Sequence, residues 1–254
     1  MEPTEYAPGT PSWIDLGSPD IDGSAAFYSG LFGWKCEAAG PEDETGGYRM
    51  FFYKDKPVAG LGPAMNPGPP YWTSYITVAD ADATIAKVKD AGGMVFVEPM
   101  DVLDVGRMAM FADPTGAALA VWQPRAHIGA GVVNEPNSLC WNELSTRDTA
   151  AAKAFYAAVF GWGADTHEGE MTYTEWQLGG QPIGGMMDMP PMMPKEVPAH
   201  WLVYFAVDDA DAAVATISEL GGTVMMGPMD IEPGRFAVAT DPQGATFAVL
   251  KLKG

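Results

Sequence analysis

The sequence repeats itself once, and this duplication limits the possible folds more than any other feature. The motif Asp-Pro-Thr-Gly at residues 113–116 returns as Asp-Pro-Gln-Gly at residues 241–244, an offset of 128 (241 minus 113). Further pairs follow the same offset: Trp13 and Trp141, Asp15 and Glu143, Tyr28 and Tyr156, Trp34 and Trp162. A unit of roughly 125 residues has the size of a domain. We therefore predict a first domain at residues 1–126, a linker at 127–137 and a second domain at 138–254.

Composition narrows the class of partner. The chain of 254 residues carries a formal net charge of −19. This charge disfavours nucleic acid and anionic membrane surfaces, because both are bound through Lys and Arg. No apolar run approaches the roughly 20 residues of a membrane-spanning helix. The two cysteines, Cys36 and Cys140, are not equivalent in the repeat. A structural disulfide is therefore not expected, and the cytoplasm is the predicted location.

Each half contains the same series of local patterns twice. Residues 12–16 alternate in the manner of a strand. An apolar stripe follows, which Asp20 or Asp22 can cap and Gly33 can end, so it predicts a helix. Three further strand patterns complete a β-α-β-β-β module, and a second module starts near residue 72. The whole chain is thus expected to contain four such modules.

Two modules side by side predict an α+β domain with a curved eight-stranded sheet. Helices would cover its convex face, to which Ile14 and Leu16 would point. The alternation then places Trp13 and Asp15 on the concave face, which would form a cup. Pockets for small molecules are expected in such cups.

Four motifs occur in the same order in both halves. They are an Ala-Phe-Tyr…Phe-Gly-Trp helix, a Val-x-Asp-x-Asp-Ala helix start, a Gly-Gly turn and a closing hairpin with Asp-Pro-x-Gly. On these motifs the chain resembles the vicinal oxygen chelate superfamily of glyoxalases, bleomycin-resistance proteins and extradiol dioxygenases, once per half. Within it, the chain is most similar to actinobacterial two-domain proteins of the 27 kDa antigen type and to anthracycline-pathway proteins named hydroxylases. The resemblance implies two tandem glyoxalase-like domains.

The resemblance also implies four metal-ligand positions in each half, on the first, fourth, fifth and last strands. In the first half they fall on Trp13, Gly60 or Leu61, Thr73 and Ala120, and in the second on Trp141, Gly185 or Met186, Leu202 and Ala248. None is a His or a carboxylate, although a protein-bound divalent metal typically needs three or more N, O or S ligands. We therefore expect no family metal in either half, and no other cofactor is predicted.

Asp15 and Glu143 are the predicted catalytic residues, because both are carboxylates at equivalent cup-facing positions. Shielding by Trp13 or Trp141 would raise the pKa of such a carboxyl and suit it to proton transfer. The alternative is a purely structural role, in which each carboxylate accepts hydrogen bonds from neighbouring backbone or Tyr groups. Both interpretations stay open at this point.

Aromatic residues and one histidine complete the predicted cups. The expected ligand-binding residues are Trp13, Tyr48, Trp72, Tyr75, Trp141, Tyr173, His200, Trp201 and Tyr204. They could stack on a planar ligand, or they could simply fill the cups as core. His127 in the linker and His167 in a loop are expected to be exposed.

Three functions are compatible with this pattern. The first is metal-independent binding of an apolar or aromatic small molecule, by an enzyme or accessory protein that acts on an aromatic or polyketide-like metabolite. The second is drug sequestration of the bleomycin-resistance type. The third is a metal-dependent lyase or dioxygenase with an atypical site. Whether the chain is an enzyme stays open, and we expect a monomer with paired domains or a homodimer.

Overall fold

Two eight-stranded sheets, one from each half of the sequence, form the framework of the protein. The computed structural model describes residues 1–64, 68–169, 172–190 and 193–253. The elements of the first half are β1 (Pro11–Ser18), α1 (Ile21–Phe32), β2 (Lys35–Ala38), α2 (Glu42–Thr45), β3 (Arg49–Tyr53), β4 (Lys56–Pro63), β5 (Tyr71–Thr77), α3 (Ala81–Asp90), β6 (Met94–Val102), β7 (Gly106–Ala112) and β8 (Ala118–Pro124). The elements of the second half are β9 (Leu139–Thr146), α4 (Thr149–Phe160), β10 (Gly163–His167), β11 (Tyr173–Leu178), β12 (Gln181–Asp188), β13 (His200–Ala206), α5 (Ala210–Glu219), β14 (Thr223–Ile231), β15 (Gly234–Thr240) and β16 (Thr246–Leu252).

Each sheet is assembled from two β-α-β-β-β modules that meet at its centre. The strand order is β2-β3-β4-β1-β5-β8-β7-β6 in the first sheet and β10-β11-β12-β9-β13-β16-β15-β14 in the second. β1 pairs antiparallel with β5, and this pairing joins the two modules of the first sheet. β4 lies parallel to β1, and β8 lies parallel to β5. The predicted α+β class, with two tandem domains of two modules each, is confirmed.

Helices α1 and α4 begin and end where the sequence signals predict. The Asp20 side chain accepts a hydrogen bond from the backbone N–H of Gly23 at 3.0 Å and caps α1. Gly33 ends α1 in the left-handed conformation, with φ of 68°, which glycine adopts without strain. Asp148 and Gly161 have the same roles in α4. In the described part of the chain, no helix has the length and apolar character that a membrane span requires.

The two halves share their cores crosswise. One core joins Ile14 and Leu16 of β1 and the apolar face of α1 to Val203 and Phe205 of β13 and to α5, so the first module of one half packs on the second module of the other. The other core joins α3 and β7 to α4 in the same way, with Phe111 beside Phe155. Burial of these two interfaces holds the halves together within one chain.

Hydrogen bonds with the same pattern cross between the halves in both directions. The Tyr28 hydroxyl of α1 donates to Asp241 Oδ2 of the other half at 3.1 Å, and Trp72 Nε1 donates to the Tyr28 oxygen at 3.0 Å. In the reverse direction, Trp201 Nε1 donates to Tyr156 at 2.9 Å, and Tyr156 donates to Asp113 Oδ2 at 2.8 Å. All six side chains are buried, so each chain of hydrogen bonds satisfies polar groups that would otherwise destabilise the core.

These contacts give the repeated Asp-Pro-x-Gly motif a physical role. Asp241 Oδ1 accepts hydrogen bonds from the backbone N–H groups of Gln243 and Ala245, at 3.0 and 2.8 Å, and so shapes the turn between β15 and β16. The other oxygen of the same carboxylate binds Tyr28 of the opposite half. One carboxylate thus organises its own hairpin and the contact between halves.

Candidate functional site

The outer face of each sheet carries a carboxylate among aromatic side chains. We call the face that bears Trp13 and Asp15 of β1 the first cup, and the equivalent face that bears Trp141 and Glu143 of β9 the second cup. Trp13 packs on the outer face of the first sheet with Tyr75 and Trp122, whereas Ile14 lies in the core between the halves. The predicted division of β1 into two faces is therefore confirmed.

Asp15 is the centre of the hydrogen-bond network in the first cup. Its Oδ2 accepts a hydrogen bond from the Tyr75 hydroxyl at 2.8 Å and another from the Tyr48 hydroxyl at 3.2 Å. Thr73, which lies opposite Asp15 on β5, contributes a third hydrogen bond. Trp13 Nε1 in turn donates to the Tyr48 oxygen at 3.4 Å. The carboxylate is thus oriented by three donors from β5 and from the segment that precedes β3.

This environment changes the acid strength of Asp15. The residue keeps some exposure, but its carboxyl group is enclosed, and this burial raises the pKa of Asp15 from 3.8 to about 6. The hydrogen bonds from Tyr75, Tyr48 and Thr73 favour the ionised form and limit the rise. Burial and the nearby carboxylate hold the pKa values of Tyr48 and Tyr75 well above their ordinary range. At neutral pH the site therefore contains an ionised carboxylate of raised basicity and two neutral phenols.

The second cup repeats this arrangement with Glu143. Glu143 Oε1 accepts a hydrogen bond from the Tyr204 hydroxyl at 2.8 Å, and Tyr173 provides a second donor. Trp141 Nε1 donates to the Tyr173 oxygen at 2.9 Å. Burial raises the pKa of Glu143, and the two tyrosines oppose the rise. Leu202 stands opposite Glu143 where Thr73 stands in the first cup, so the third donor is missing here.

The tyrosine beside each carboxylate depends on a glycine in the neighbouring strand. Gly60 of β4 lies opposite Asp15, and a Cβ atom there would collide with the Tyr48 hydroxyl. Gly185 of β12 has the same relation to Tyr173. The absence of a side chain at these two positions lets a phenol approach the sheet closely.

Gly60 and Gly185 are also candidates for the fourth-strand metal-ligand position that the family resemblance implies, with Leu61 and Met186 as the alternatives. Each glycine is without side-chain donors, and the space above it contains a tyrosine. Within the described ranges, no group of three or more His, Cys, Asp or Glu side chains could hold a metal ion. The donor set around Asp15 or Glu143, one carboxylate with phenols, does not fit the ligand requirement of a divalent metal.

Two predicted ligand-binding residues do not line the cups. Trp72 and Trp201 point into the cores between the halves and bond to Tyr28 and Tyr156, so that prediction is corrected. The physical reason is strand alternation: Trp72 is three residues from Tyr75 on β5, and residues an odd number apart face opposite sides. The same count identifies two further cup-facing residues: Tyr71, and Thr73, which was expected only as a metal-ligand position.

The three histidines differ in their surroundings. His127 was expected to be exposed, but its ring lies edge-on to Trp13 with the ring centroids 4.4 Å apart, so this prediction is wrong. The cause is that the linker folds back over the first sheet, where Ala130 N–H donates to the Ser12 carbonyl at 2.8 Å. His200 lies half-buried at the start of β13, on the same face as Tyr204. His167 is exposed beside Asp165, as predicted, but it ends strand β10 and does not lie in a loop.

The fold and the paired cups agree with the comparisons with known proteins. A family model described as the Glyoxalase/Bleomycin resistance protein/Dioxygenase superfamily matches residues 10–121 and 137–249. The chain therefore belongs to this superfamily and contains two copies of its domain.

Particular relatives cover nearly the whole chain. A Mycobacterium tuberculosis protein named "Putative glyoxylase CFP32" is 45% identical over 98% of this chain and 97% of its own length. The "Anthracycline biosynthesis protein DnrV" of Streptomyces peucetius is 42% identical over 98% of this chain and 96% of its own. The chain is thus related at full length to proteins with a glyoxylase name and to proteins of anthracycline biosynthesis.

Solved structures resemble the chain in fold. The Mn(II)-bound glyoxalase from Novosphingobium aromaticivorans has a TM-score of 0.65 at 18% identity, and covers 97% of this chain and 83% of its own. The 2,3-dioxygenase LapB from Pseudomonas sp. KL28 has a TM-score of 0.68 at 14% identity. The match covers 97% of this chain and 93% of the LapB chain. Likeness at such low identity shows the fold alone.

Proposed function

We propose that this chain binds an apolar or aromatic metabolite in the first cup without a metal ion, and that Asp15 acts on an acidic proton of that metabolite as a general base. The observation that carries the proposal is the enclosed Asp15 carboxylate, held by Tyr48 and Tyr75 and with its pKa raised to about 6. A base is most effective when its pKa lies near the working pH. A carboxylate in this setting can accept a proton that an exposed carboxylate would leave in place.

The lining of the first cup supports an apolar ligand. Met50, Met108 and Met110 are partly buried against Trp13 and Trp122 on this face. Methionine side chains adapt to ligands of different shape, and indole rings stack on planar ones. The relative named for anthracycline biosynthesis suggests that the ligand is a polycyclic, polyketide-like aromatic. Glu143 would act in the same way in the second cup.

Binding without turnover is the second candidate function. Trp13 and the ionised Asp15 would together attract a planar cation, and the hydrogen bonds to Asp15 come from neutral donors rather than from Lys or Arg. This is the arrangement expected of a drug-sequestration protein. The two functions differ in what the carboxylate does after binding, so one substitution separates them.

The first experiment is a binding screen by thermal shift and calorimetry. The panel contains hydroxylated anthraquinones, anthracyclines, flavins and the divalent ions Mn²⁺, Fe²⁺, Ni²⁺ and Zn²⁺. A ligand specific for the folded state raises the melting temperature by mass action. We expect stabilisation by a hydroxylated aromatic without added metal. Stabilisation by a transition metal alone would contradict the proposal and favour the metal-dependent alternative.

Variants then distinguish catalysis from sequestration. Asp15→Asn keeps the size of the side chain and removes its basicity, and Glu143→Gln does the same in the second cup. Asp55→Asn, at an exposed carboxylate, is the matched control for the change in charge. Loss of turnover with retained binding in Asp15→Asn supports a general base. Loss of affinity for cationic ligands only, with no turnover in the wild type, supports sequestration.

A further inference from the structure

The linker between the two halves places a histidine against the first cup. The His127 backbone N–H donates to the Val105 carbonyl at 3.1 Å, and its carbonyl accepts a hydrogen bond from Trp122 Nε1 at 2.8 Å. The imidazole ring then packs edge-on to Trp13, with ring centroids 4.4 Å apart, and against Trp122 at 5.7 Å. The ring is therefore held in place by main-chain hydrogen bonds and by two indoles.

One atom of this ring lacks the partner that a buried nitrogen usually has. His127 Nε2 is buried and has no hydrogen-bond partner among the described residues. Every imidazole nitrogen is either a donor or an acceptor, and a nitrogen left unsatisfied in the protein interior destabilises the folded state. Burial also lowers the pKa of His127 to about 4, so the ring is neutral at neutral pH. A neutral imidazole of this kind can recognise a hydroxyl or carbonyl oxygen without adding charge.

His127 is connected to the carboxylate site through direct contacts. Its ring touches Trp13, Trp13 Nε1 donates to the Tyr48 oxygen, and the Tyr48 hydroxyl donates to Asp15. Contacts through Trp13 and Tyr48 thus link the imidazole to the carboxylate. A rigid polycyclic aromatic carries oxygens at separated positions and matches such a pair of polar groups.

We propose that His127 is a ligand-binding residue of the first cup, whose Nε2 hydrogen-bonds a hydroxyl or carbonyl oxygen of a hydroxyaromatic ligand while Asp15 receives an acidic hydroxyl of the same molecule. This inference rests on the proposed function, since it needs a ligand in the first cup. It adds a specificity-determining residue that comes from the linker rather than from the sheet.

The test uses alizarin, a dihydroxyanthraquinone, as the probe and unsubstituted anthraquinone as its control. Long-range proton–nitrogen NMR reports on each imidazole directly, and the chain has only 3 histidines to assign. We expect saturating alizarin to shift the His127 Nε2 resonance and to leave that of the exposed His167 unchanged. Anthraquinone lacks the hydroxyl groups and should bind more weakly. An unmoved His127 resonance at saturation overturns the inference.

His127→Phe is the decisive variant, because phenylalanine keeps the ring contact with Trp13 and removes the nitrogen. We expect about tenfold weaker binding of alizarin, the loss of one hydrogen bond, with an unchanged or raised melting temperature, since a buried unsatisfied atom disappears. His167→Phe is the matched control and should bind as the wild type does. A merely structural histidine would instead lower the melting temperature and leave affinity unchanged.

The outcomes separate the two proposals. If the wild type binds alizarin and His127→Phe binds it equally tightly, the inference about His127 fails and the proposed ligand site of the first cup stands. If the wild type binds neither alizarin nor any other hydroxyaromatic of the panel, both fail. If His127→Phe loses stability as well as affinity, His127→Gln, which restores a polar atom, must recover affinity for the inference to hold.

Discussion

Replacing Asp15 by asparagine is expected to change how the stability of the protein depends on pH. The pKa of Asp15 is about 6 in the folded protein, against 3.8 for an ordinary aspartate. The folded state therefore holds this proton more tightly than the unfolded chain does. The resulting stability is fully present well below the ordinary pKa of 3.8 and is lost as the pH rises through about 6.

The size of the effect follows from the same values. One pKa unit corresponds to about 1.4 kcal/mol. Once Asp15 is ionised, its raised pKa therefore lowers the free energy of unfolding by about 3 kcal/mol, whereas a side chain that does not titrate causes no such loss. Part of this loss has already occurred at pH 4, because the unfolded carboxyl titrates there. Between about pH 4 and pH 7 we therefore expect the stability of the wild type to fall by about 2 kcal/mol relative to Asp15→Asn.

Urea denaturation followed by tryptophan fluorescence measures this difference at each pH. At each pH, the free energy of unfolding of the variant is subtracted from that of the wild type. The difference cancels the contribution of the other acidic residues, which matters in a chain of net charge −19. Asp55→Asn, at an exposed carboxylate, controls for the loss of one charge. Parallel curves for the wild type and Asp15→Asn would refute the argument, because they would mean that the cup does not perturb the Asp15 carboxyl.

Three further substitutions test the structure around the site. Gly60→Ala should destabilise the protein by about 1–3 kcal/mol in urea denaturation, because its Cβ collides with the Tyr48 hydroxyl; an unchanged stability would mean that the phenol does not occupy that space. Tyr28→Phe should cost about 1–3 kcal/mol in the same assay, because it removes the hydrogen bond to Asp241 of the other half and the acceptor of Trp72 Nε1; a neutral result would contradict the role of these bonds. Tyr75→Phe removes the shortest hydrogen bond to Asp15 and should raise the Asp15 pKa further in a carboxyl-carbon NMR titration, whereas a lower pKa would disprove the assigned donor.

The fold and the two carboxylates could be predicted because their signals are local or repeated. The duplication identifies two domains, and alternation within five residues of β1 separates Asp15 from Ile14. The Asp20 cap and the Gly33 terminus are chemical signals within one helix. Such features depend on near neighbours in the chain, so a single sequence contains enough information to find them.

The rest of the site depends on contacts between distant segments. Trp72 was placed in the cup because its aromatic type fits a ligand site, although alternation from Tyr75 would have put it on the opposite face. His127 had no sequence signal, since only the folding of the linker over β1 brings it to Trp13. Nor could the sequence show that the Tyr28 hydroxyl bonds to Asp241, because that contact joins residues from opposite halves.

The two faces of each sheet are under different physical constraints, and this explains why the cups differ. The inner faces share crosswise cores, so a change in one half must fit the other, and the hydrogen bonds of Tyr28 and Tyr156 follow the same pattern. The cups face away from this interface and can change independently. Thr73 of the first cup is matched by Leu202 in the second, which removes a donor to the carboxylate. With His127 packed beside it, the first cup has more polar groups for a ligand, and we therefore expect it to be the more selective of the two.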